Sequence, residues 1–289
     1  MRLGTRGSAL ALVQARWVAE RLPGEVEIVE ITTLGDRGAS ALDKSRWVSE
    51  LERALLDGRI DVAVHSAKDV PTELPDGLEL AAIPQRADAR DVICGAAGLQ
   101  ALARGARVGT SSLRRTAQLR AARPDLDVVE LRGNVDTRLR KLAAGEVDAL
   151  VLAGAGLERL GRLGEAGAPL DEFIPAAGQG ALALQTRADA GLAAALAPVS
   201  DPTTTACVHA ERTLVHALGA SCRTPVGAHA RHADGTVTLA AWVGLPDGSE
   251  WLCDELTGPA DEVGGDCAQR LLAAGAAELL ARSEAELTS

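Results

Sequence analysis

Tyrosine is absent from this 289-residue chain, and phenylalanine occurs once, at Phe173. With aromatics at 2%, the cores have to be built from alanine, valine, leucine and isoleucine. Lysine is nearly missing as well, present only as Lys44, Lys68 and Lys141, so arginine supplies most of the positive charge. No apolar run approaches the ~20 residues of a membrane span. Met1 to Leu12 alternates like a strand and carries charge where a signal peptide needs a long apolar stretch, so a cytoplasmic protein is expected. The cysteines, at 94, 207, 222, 253 and 267, are odd in number and include no Cys-x-x-Cys pair. That spacing gives no zinc site and argues against a disulfide framework, so no metal is expected. The net charge of -10 opposes the basic surplus of a nucleic-acid binder.

What is present is ordinary for a soluble globular protein: 47% hydrophobic and 24% charged residues, in a length suited to two or three domains. The charge is uneven. From Arg107 to Lys141 there are nine Arg or Lys against four Asp or Glu, a basic neighbourhood that suits a small anionic ligand.

The chain also repeats itself weakly. Arg2-Leu-Gly-Thr-Arg-Gly-Ser8 leads into the apolar helical run Leu10 to Leu22, and Arg107-Val-Gly-Thr-Ser-Ser112 leads into Leu113 to Ala122. Each unit continues with a short strand, a helix, a glycine and an acidic-apolar strand, Gly58 to Val64 and Gly145 to Val151. Alternating strands and helices imply an α/β fold with mostly parallel sheets, and two such units imply two lobes. The segment Pro84 to Asp91 reads as the first crossover and Phe173 to Leu182 as the return. Beyond Pro202 the pattern becomes a helix, hairpin turns at Ala233-Asp-Gly235 and Pro246-Asp-Gly248, and one final helix from about Ala260 to Ala281. The expected division is 1–84 with 181–200 as the first lobe, 90–175 as the second, and 202–289 as a small α+β domain with an antiparallel sheet. Ligands of such folds bind at the carboxyl ends of the strands, between lobes.

Several motifs converge on that cleft. Thr110, Ser111 and Ser112 open a helix whose start favours an anion, and Arg114 and Arg115 can grip a carboxylate as a fork. The plainer reading is a capped helix with two solvated arginines. Arg132 and Arg138 leave the next strand toward the same cleft. Val62-Ala-Val-His-Ser-Ala-Lys-Asp-Val-Pro71 is the most telling run: a core strand ends in His65, Ser66, Lys68 and Asp69 before a proline stops it. Charges at the end of a core strand need a reason. Asp69 can hydrogen-bond a ligand N–H or stabilise a developing cation, the alternative being a surface turn. His65 alone is more often a structural histidine. Ala153-Gly-Ala-Gly-Leu-Glu-Arg159 has the wrong spacing for a dinucleotide fingerprint and reads as a strand-to-helix turn with Arg159 facing the cleft. Cys222 lies among small residues beside Arg223, a setting that favours thiolate. Leu34 to Trp47 is long for a connection and reads as a lid or a solvated loop.

Together, Thr5-Arg-Gly-Ser8, Ala63 to Pro71, Val108 to Arg115, Leu131 to Arg138, Pro175-Ala-Ala-Gly-Gln-Gly180 and Ser221 to Gly227 resemble the porphobilinogen deaminases in order and spacing along essentially the whole chain. The resemblance implies three domains, two of them like the lobes of periplasmic binding proteins. It implies one covalent dipyrromethane cofactor on a thioether to Cys222, held by Ser66, Lys68, Thr110, Ser111, Ser112, Arg114, Arg115 and Arg132. It makes Asp69 the catalytic carboxylate, and Arg6, Ser8, Gln14, Arg138, Arg159 and Gln179 the substrate-binding residues. The activity implied is a monomeric transferase that condenses four porphobilinogen molecules into hydroxymethylbilane. The lid departs from the family: Lys44 and Trp47 stand for one of two lysines and for an aromatic. Asp136 replaces a usual glycine. The competing reading is a non-enzymatic, two-lobed binding protein for a small dicarboxylate. A nucleotide-dependent enzyme would rest only on the poor glycine match.

Overall fold

A computed structural model of the chain describes residues 1–32, 45–220 and 224–286, and among residues 45–47 the backbone only. The chain opens with β1 (Arg2–Thr5), α1 (Ala9–Ala19), β2 (Glu27–Glu30), α2 (Ser45–Leu56), β3 (Val62–Ser66) and β4 (Leu78–Ala82). A second series follows: β5 (Asp91–Cys94), β6 (Arg107–Thr110), α3 (Leu113–Ala122), β7 (Asp127–Glu130), α4 (Val135–Ala143), β8 (Ala149–Ala153), α5 (Gly154–Arg159) and β9 (Ala166–Pro169). After β10 (Leu182–Arg187) and α6 (Ala193–Leu196) come α7 (Pro202–Ala217), β11 (Val226–Ala233), β12 (Thr236–Gly244) and β13 (Trp251–Gly258). Helices α8 (Val263–Ala273) and α9 (Ala276–Glu286) close the described chain.

These strands form three sheets, ordered β2-β1-β3-β10-β4, β7-β6-β8-β5-β9 and β11-β12-β13. In each of the first two sheets a parallel triplet is joined by one reversed strand, β10 or β5, and then by an edge strand antiparallel to it. Four of the five strands therefore share a direction, as expected of mostly parallel lobes. The reversed strand β10 comes from the return segment, so the chain leaves the first lobe and re-enters it.

The repeated glycines explain part of the repeat. Gly4 and Gly109 sit at matching points of β1 and β6, where a methyl group would strike Ile60 in one lobe and come within 2.9 Å of Leu150 in the other. The serines that follow cap the helices: Ser8 accepts from the Ala11 amide at 3.3 Å, and Ser112 from that of Arg115 at 3.5 Å. The cores are aliphatic, as the composition requires, with Leu3, Val62 and Leu184 in one lobe and Val108, Leu119 and Val151 in the other.

The third domain packs α7, α8 and α9 on one face of the antiparallel sheet, around Leu214, Leu239 and Leu271. The first expected hairpin turn is found, with Asp234 and Gly235 both at positive φ, 50° and 79°. The single expected final helix is instead two, because the chain breaks at Gly275 with φ 103°.

Glu211 on α7 fixes this domain to the connections between the lobes. Its buried carboxylate accepts from both terminal nitrogens of Arg86 in the first connection, each at 2.7 Å, and from the Gly178 amide in the second, at 2.7 Å. Burial alone would raise its pKa, but Arg86 and His229 more than offset that and hold it below the usual range.

Candidate active site

The strand ends of the first lobe deliver one wall of the cleft. Past β1, Arg6 and Ser8 turn the chain into α1, and Gln14 on the first turns of that helix donates to Ser66 Oγ at 3.1 Å. Past β3, a single 3-10 turn, Ala67–Asp69, presents Lys68 and Asp69, both half-buried. Arg6, Ser8, Gln14, His65, Ser66 and Asp69 line a cavity of ≈ 90 Å³. A larger hollow, ≈ 590 Å³, lies at the opposite end of the second sheet beside Arg104 and Asp148 and shares no residue with it.

His65 is the structural residue that the plainer reading makes it. It is fully buried, and Nε2 meets Gln185 Oε1 at 3.0 Å while the Gln185 amide donates to Glu52 at 3.2 Å. The carboxylate can only accept, so the amide is oriented by Glu52 and the imidazole carries its proton on Nε2. Desolvation lowers its pKa from 6.5 to about 4, against opposing pulls from Gln185 and Asp69. The ring is neutral at pH 7.

The second lobe supplies arginines. Arg138 on α4 donates to Ser111 Oγ at 2.8 Å and to the Gly133 carbonyl at 2.7 Å. Burial, and then repulsion from Arg115, lower its pKa to about 10, while the opposite charge of Asp69 acts to raise it. Arg159 donates to the Gly180 carbonyl at 2.6 Å, tying α5 to the return connection. Arg132 is exposed and paired with Glu130 at 2.6 Å. Gly156 in the glycine turn before it leaves room for Leu10 of the opposite lobe, which would lie 3.7 Å from an added methyl group.

Arg114 and Arg115 are buried, and the carboxylate they hold in this structure is Asp91, at 2.7 and 2.8 Å. Burial would raise the Asp91 pKa, but the two guanidiniums overcome it and keep the carboxyl well below the usual range. Gln179 bridges the lobes: its amide donates to Asp91 and to the Ala89 carbonyl, both at 2.7 Å, and its oxygen accepts from Lys68 at 3.3 Å and Arg115 at 3.4 Å. Thr110 Oγ1 accepts from the Ser112 amide at 3.2 Å, so these two hydroxyls shape the turn before α3. Asp136, in the first turn of α4, is neutralised by Arg162 at 2.6 Å. Lys44 and Cys222 lie outside the described residues, as does the side chain of Trp47. Sequence reasoning missed Asp91, Glu211 and Arg212. The signal for the first was an acid opening the buried strand Asp91-Val-Ile-Cys94.

Comparison with known proteins matches residues 1–194 to the family model "Porphobilinogen deaminase, dipyromethane cofactor binding domain" and residues 205–273 to that of the porphobilinogen deaminase C-terminal domain. The chain is 49% identical to a porphobilinogen deaminase of Deinococcus deserti, covering 96% of this chain and 97% of that one. It is 48% identical to that of Deinococcus radiodurans, with the same coverage, and 48% identical to that of Thermus thermophilus, over 97% of this chain and 98% of the other. Among solved structures, the periplasmic VFT2 domain of Bordetella pertussis BvgS aligns over 71% of this chain and 90% of its own, at 18% identity and a TM-score of 0.41.

Proposed function

The chain belongs to the porphobilinogen deaminase family, and from that premise we propose that Asp69 is its catalytic carboxylate, acting on porphobilinogen in the cleft between the two lobes. The observation that carries this reading is the half-buried Asp69 beyond the end of β3, lining one cavity with Arg6, Ser8, Gln14, His65 and Ser66. As the aminomethyl C–N bond of the substrate breaks, nitrogen leaves as ammonia and the pyrrole becomes cationic. A carboxylate within the cleft accepts the pyrrole N–H and stabilises that charge. The enzyme is then a transferase that repeats the condensation four times, each with loss of ammonia and of the attacked ring's α-proton, and a water then cleaves the finished chain to release hydroxymethylbilane.

The donor set fits the family's dipyrromethane. Two pyrrole rings with an acetate and a propionate each need several cations, and Lys68, Arg114, Arg115 and Arg132 supply them. Arg114 Nε is buried with no hydrogen-bond partner among the described residues, a donor that suits a bound carboxylate. When bound, the cofactor supplies the free pyrrole carbon to which substrate rings are added. In this reading Cys222 holds it as a thioether, with Ser66, Thr110, Ser111, Ser112, Arg114 and Arg115 around it. Arg6, Ser8, Gln14, Arg138, Arg159 and Gln179 orient the incoming substrate.

A cytoplasmic monomer without nucleic acid belongs to the same reading. Cys94, Cys207, Cys253 and Cys267 are all free, which suits a reducing compartment. No helix among the described residues is long and apolar enough to cross a membrane.

The test is the intact mass of denatured protein, with turnover measured beside it. Wild type carries an excess of two linked pyrrole units and Cys222→Ser lacks it. Asp69→Asn keeps the excess and loses turnover by about 10²–10³-fold, the scale of one lost electrostatic partner. Near-normal turnover in Asp69→Asn would end the catalytic assignment, and an unchanged mass in Cys222→Ser would end the attachment.

A further inference from the structure

Helix α7 presents one face to the two connections between the lobes and to the turn beyond β3. Thr204, Val208, Glu211 and Arg212 follow the spacing of a single helical stripe. Thr204 Oγ1 accepts from the Arg86 amide at 3.1 Å, and Glu211 holds the Gly178 amide as described. Val208 packs in a cluster with Ala67 and Val70, which flank Lys68 and Asp69. Arg212 reaches the same turn from above: Nη1 donates to the Val70 carbonyl at 3.0 Å, and Nη2 to those of Pro71 at 2.6 Å and Thr72 at 3.2 Å.

Three successive carbonyls immediately after Asp69 are thus held by one planar cation. Among the described residues its hydrogen-bond partners are carbonyl oxygens only, and burial lowers its basicity with no carboxylate opposing. A half-buried charge without a counter-ion is costly, so simple packing does not explain its choice over an apolar residue. A fork that fixes a backbone does. Pro71 adds to the argument, because it has no N–H with which to anchor the turn by other means.

We propose that Arg212 is a positioning residue for Asp69, through which the domain bearing Cys222 sets where the catalytic carboxylate stands. Cys222 follows soon after the end of α7 in sequence, so one helix is common to the attachment point and the acid. The proposal rests on the catalytic reading of Asp69 given above.

A double-mutant cycle on the cofactor-loaded enzyme tests it. A displacement of ~1 Å can cost about 10²-fold in rate, so Arg212→Met is expected to lower kcat between about ten- and a hundredfold, with KM changed less than about threefold and covalent mass unchanged. Arg212→Lys, which keeps the charge and can reach part of the carbonyl set, recovers some of the rate. In an Asp69→Asn background Arg212→Met adds less than about a twofold loss, because the group it positions is already disabled. Unchanged kcat, or an equal loss in both backgrounds, overturns the proposal and makes Arg212 general scaffolding. Near-normal turnover in Asp69→Asn alone is a separate result that removes the catalytic reading and the proposal with it. If Arg212→Met fails to fold, Arg212→Lys carries the same cycle.

Discussion

Asp69 and Asp91 lie at the same end of two sheets that share one strand order, yet their surroundings differ in every respect. In the second lobe Asp91 opens the reversed strand β5, opposite Ala153, with none of its surface exposed. The matching place in the first lobe, opposite Ser66 on β10, is held by Leu182. There the acid has moved off the sheet to the turn beyond β3, where it lines a cavity. One lobe buries its aspartate between two arginines as a pillar. The other leaves its aspartate half-buried, lining a cavity together with a neutral histidine. On the proposed reading the same scaffold serves binding in one copy and chemistry in the other, and what differs is how deeply the carboxylate is buried.

The comparison breaks most sharply at Asp91. Asp91→Asn keeps the shape but leaves Arg114 and Arg115 buried beside each other with no counter-charge. Removing one side of a buried pair costs about 3–5 kcal/mol, so unfolding in urea is expected to shift by that amount. Asn at position 69 should cost the fold far less, because Asp69 is only half-buried. A stability loss for Asp91→Asn no larger than that for Asp69→Asn would mean that the two aspartates are not differently used.

How much of this was legible beforehand follows the same contrast. The end of β3 could be read because a charged run on an apolar strand violates expectation locally. The two lobes could be read because the Gly-Thr turns recur with the same spacing. Asp91 left only the weak signal of an acid opening an apolar strand, and after Arg90 it looks like a solvated loop residue until β8 and β5 are paired. Glu211 and Arg212 were hidden for another reason: Glu211 pairs with the Arg86 side chain 125 residues away, and Arg212 holds backbone carbonyls 140 to 142 residues away, which leave no trace in a side-chain pattern. The division of the last helix at Gly275 was visible in principle as a glycine inside a helical run.

The neutral histidine sharpens the first-lobe half of the comparison. With a folded pKa of about 4 against 6.5 when unfolded, His65 binds protons mainly in the unfolded state between those values. The sign is therefore loss of stability as pH falls from 6.5 toward 4, by at most about 3 kcal/mol, with no contribution above that window. Denaturant curves of wild type and His65→Gln, compared at pH 7.5 and pH 4.5, isolate it: the difference between them should shrink at the lower pH. A difference independent of pH would mean that the ring titrates normally and that Glu52 and Gln185 do not hold it neutral.

The smallest effects separate arginines within the binding lobe. Arg138 is substantially desolvated, feels Asp69, and is held in place by Ser111 and Gly133. Arg132 is exposed and already paired with Glu130. A charge-assisted hydrogen bond to a ligand carboxylate contributes roughly 1.5–3 kcal/mol, so Arg138→Leu is expected to weaken binding of porphobilinogen about ten- to a hundredfold. An exposed pair contributes little, so Arg132→Leu should change it less than about fivefold. Steady-state KM for both variants, measured at low and at moderate salt, decides the point. Screening shortens the reach of exposed charges and spares buried ones, so the Arg132 effect should fade with salt while the Arg138 effect persists. Equal losses that fade together would place both arginines on the solvated rim, and the burial of Arg138 would then carry no binding role.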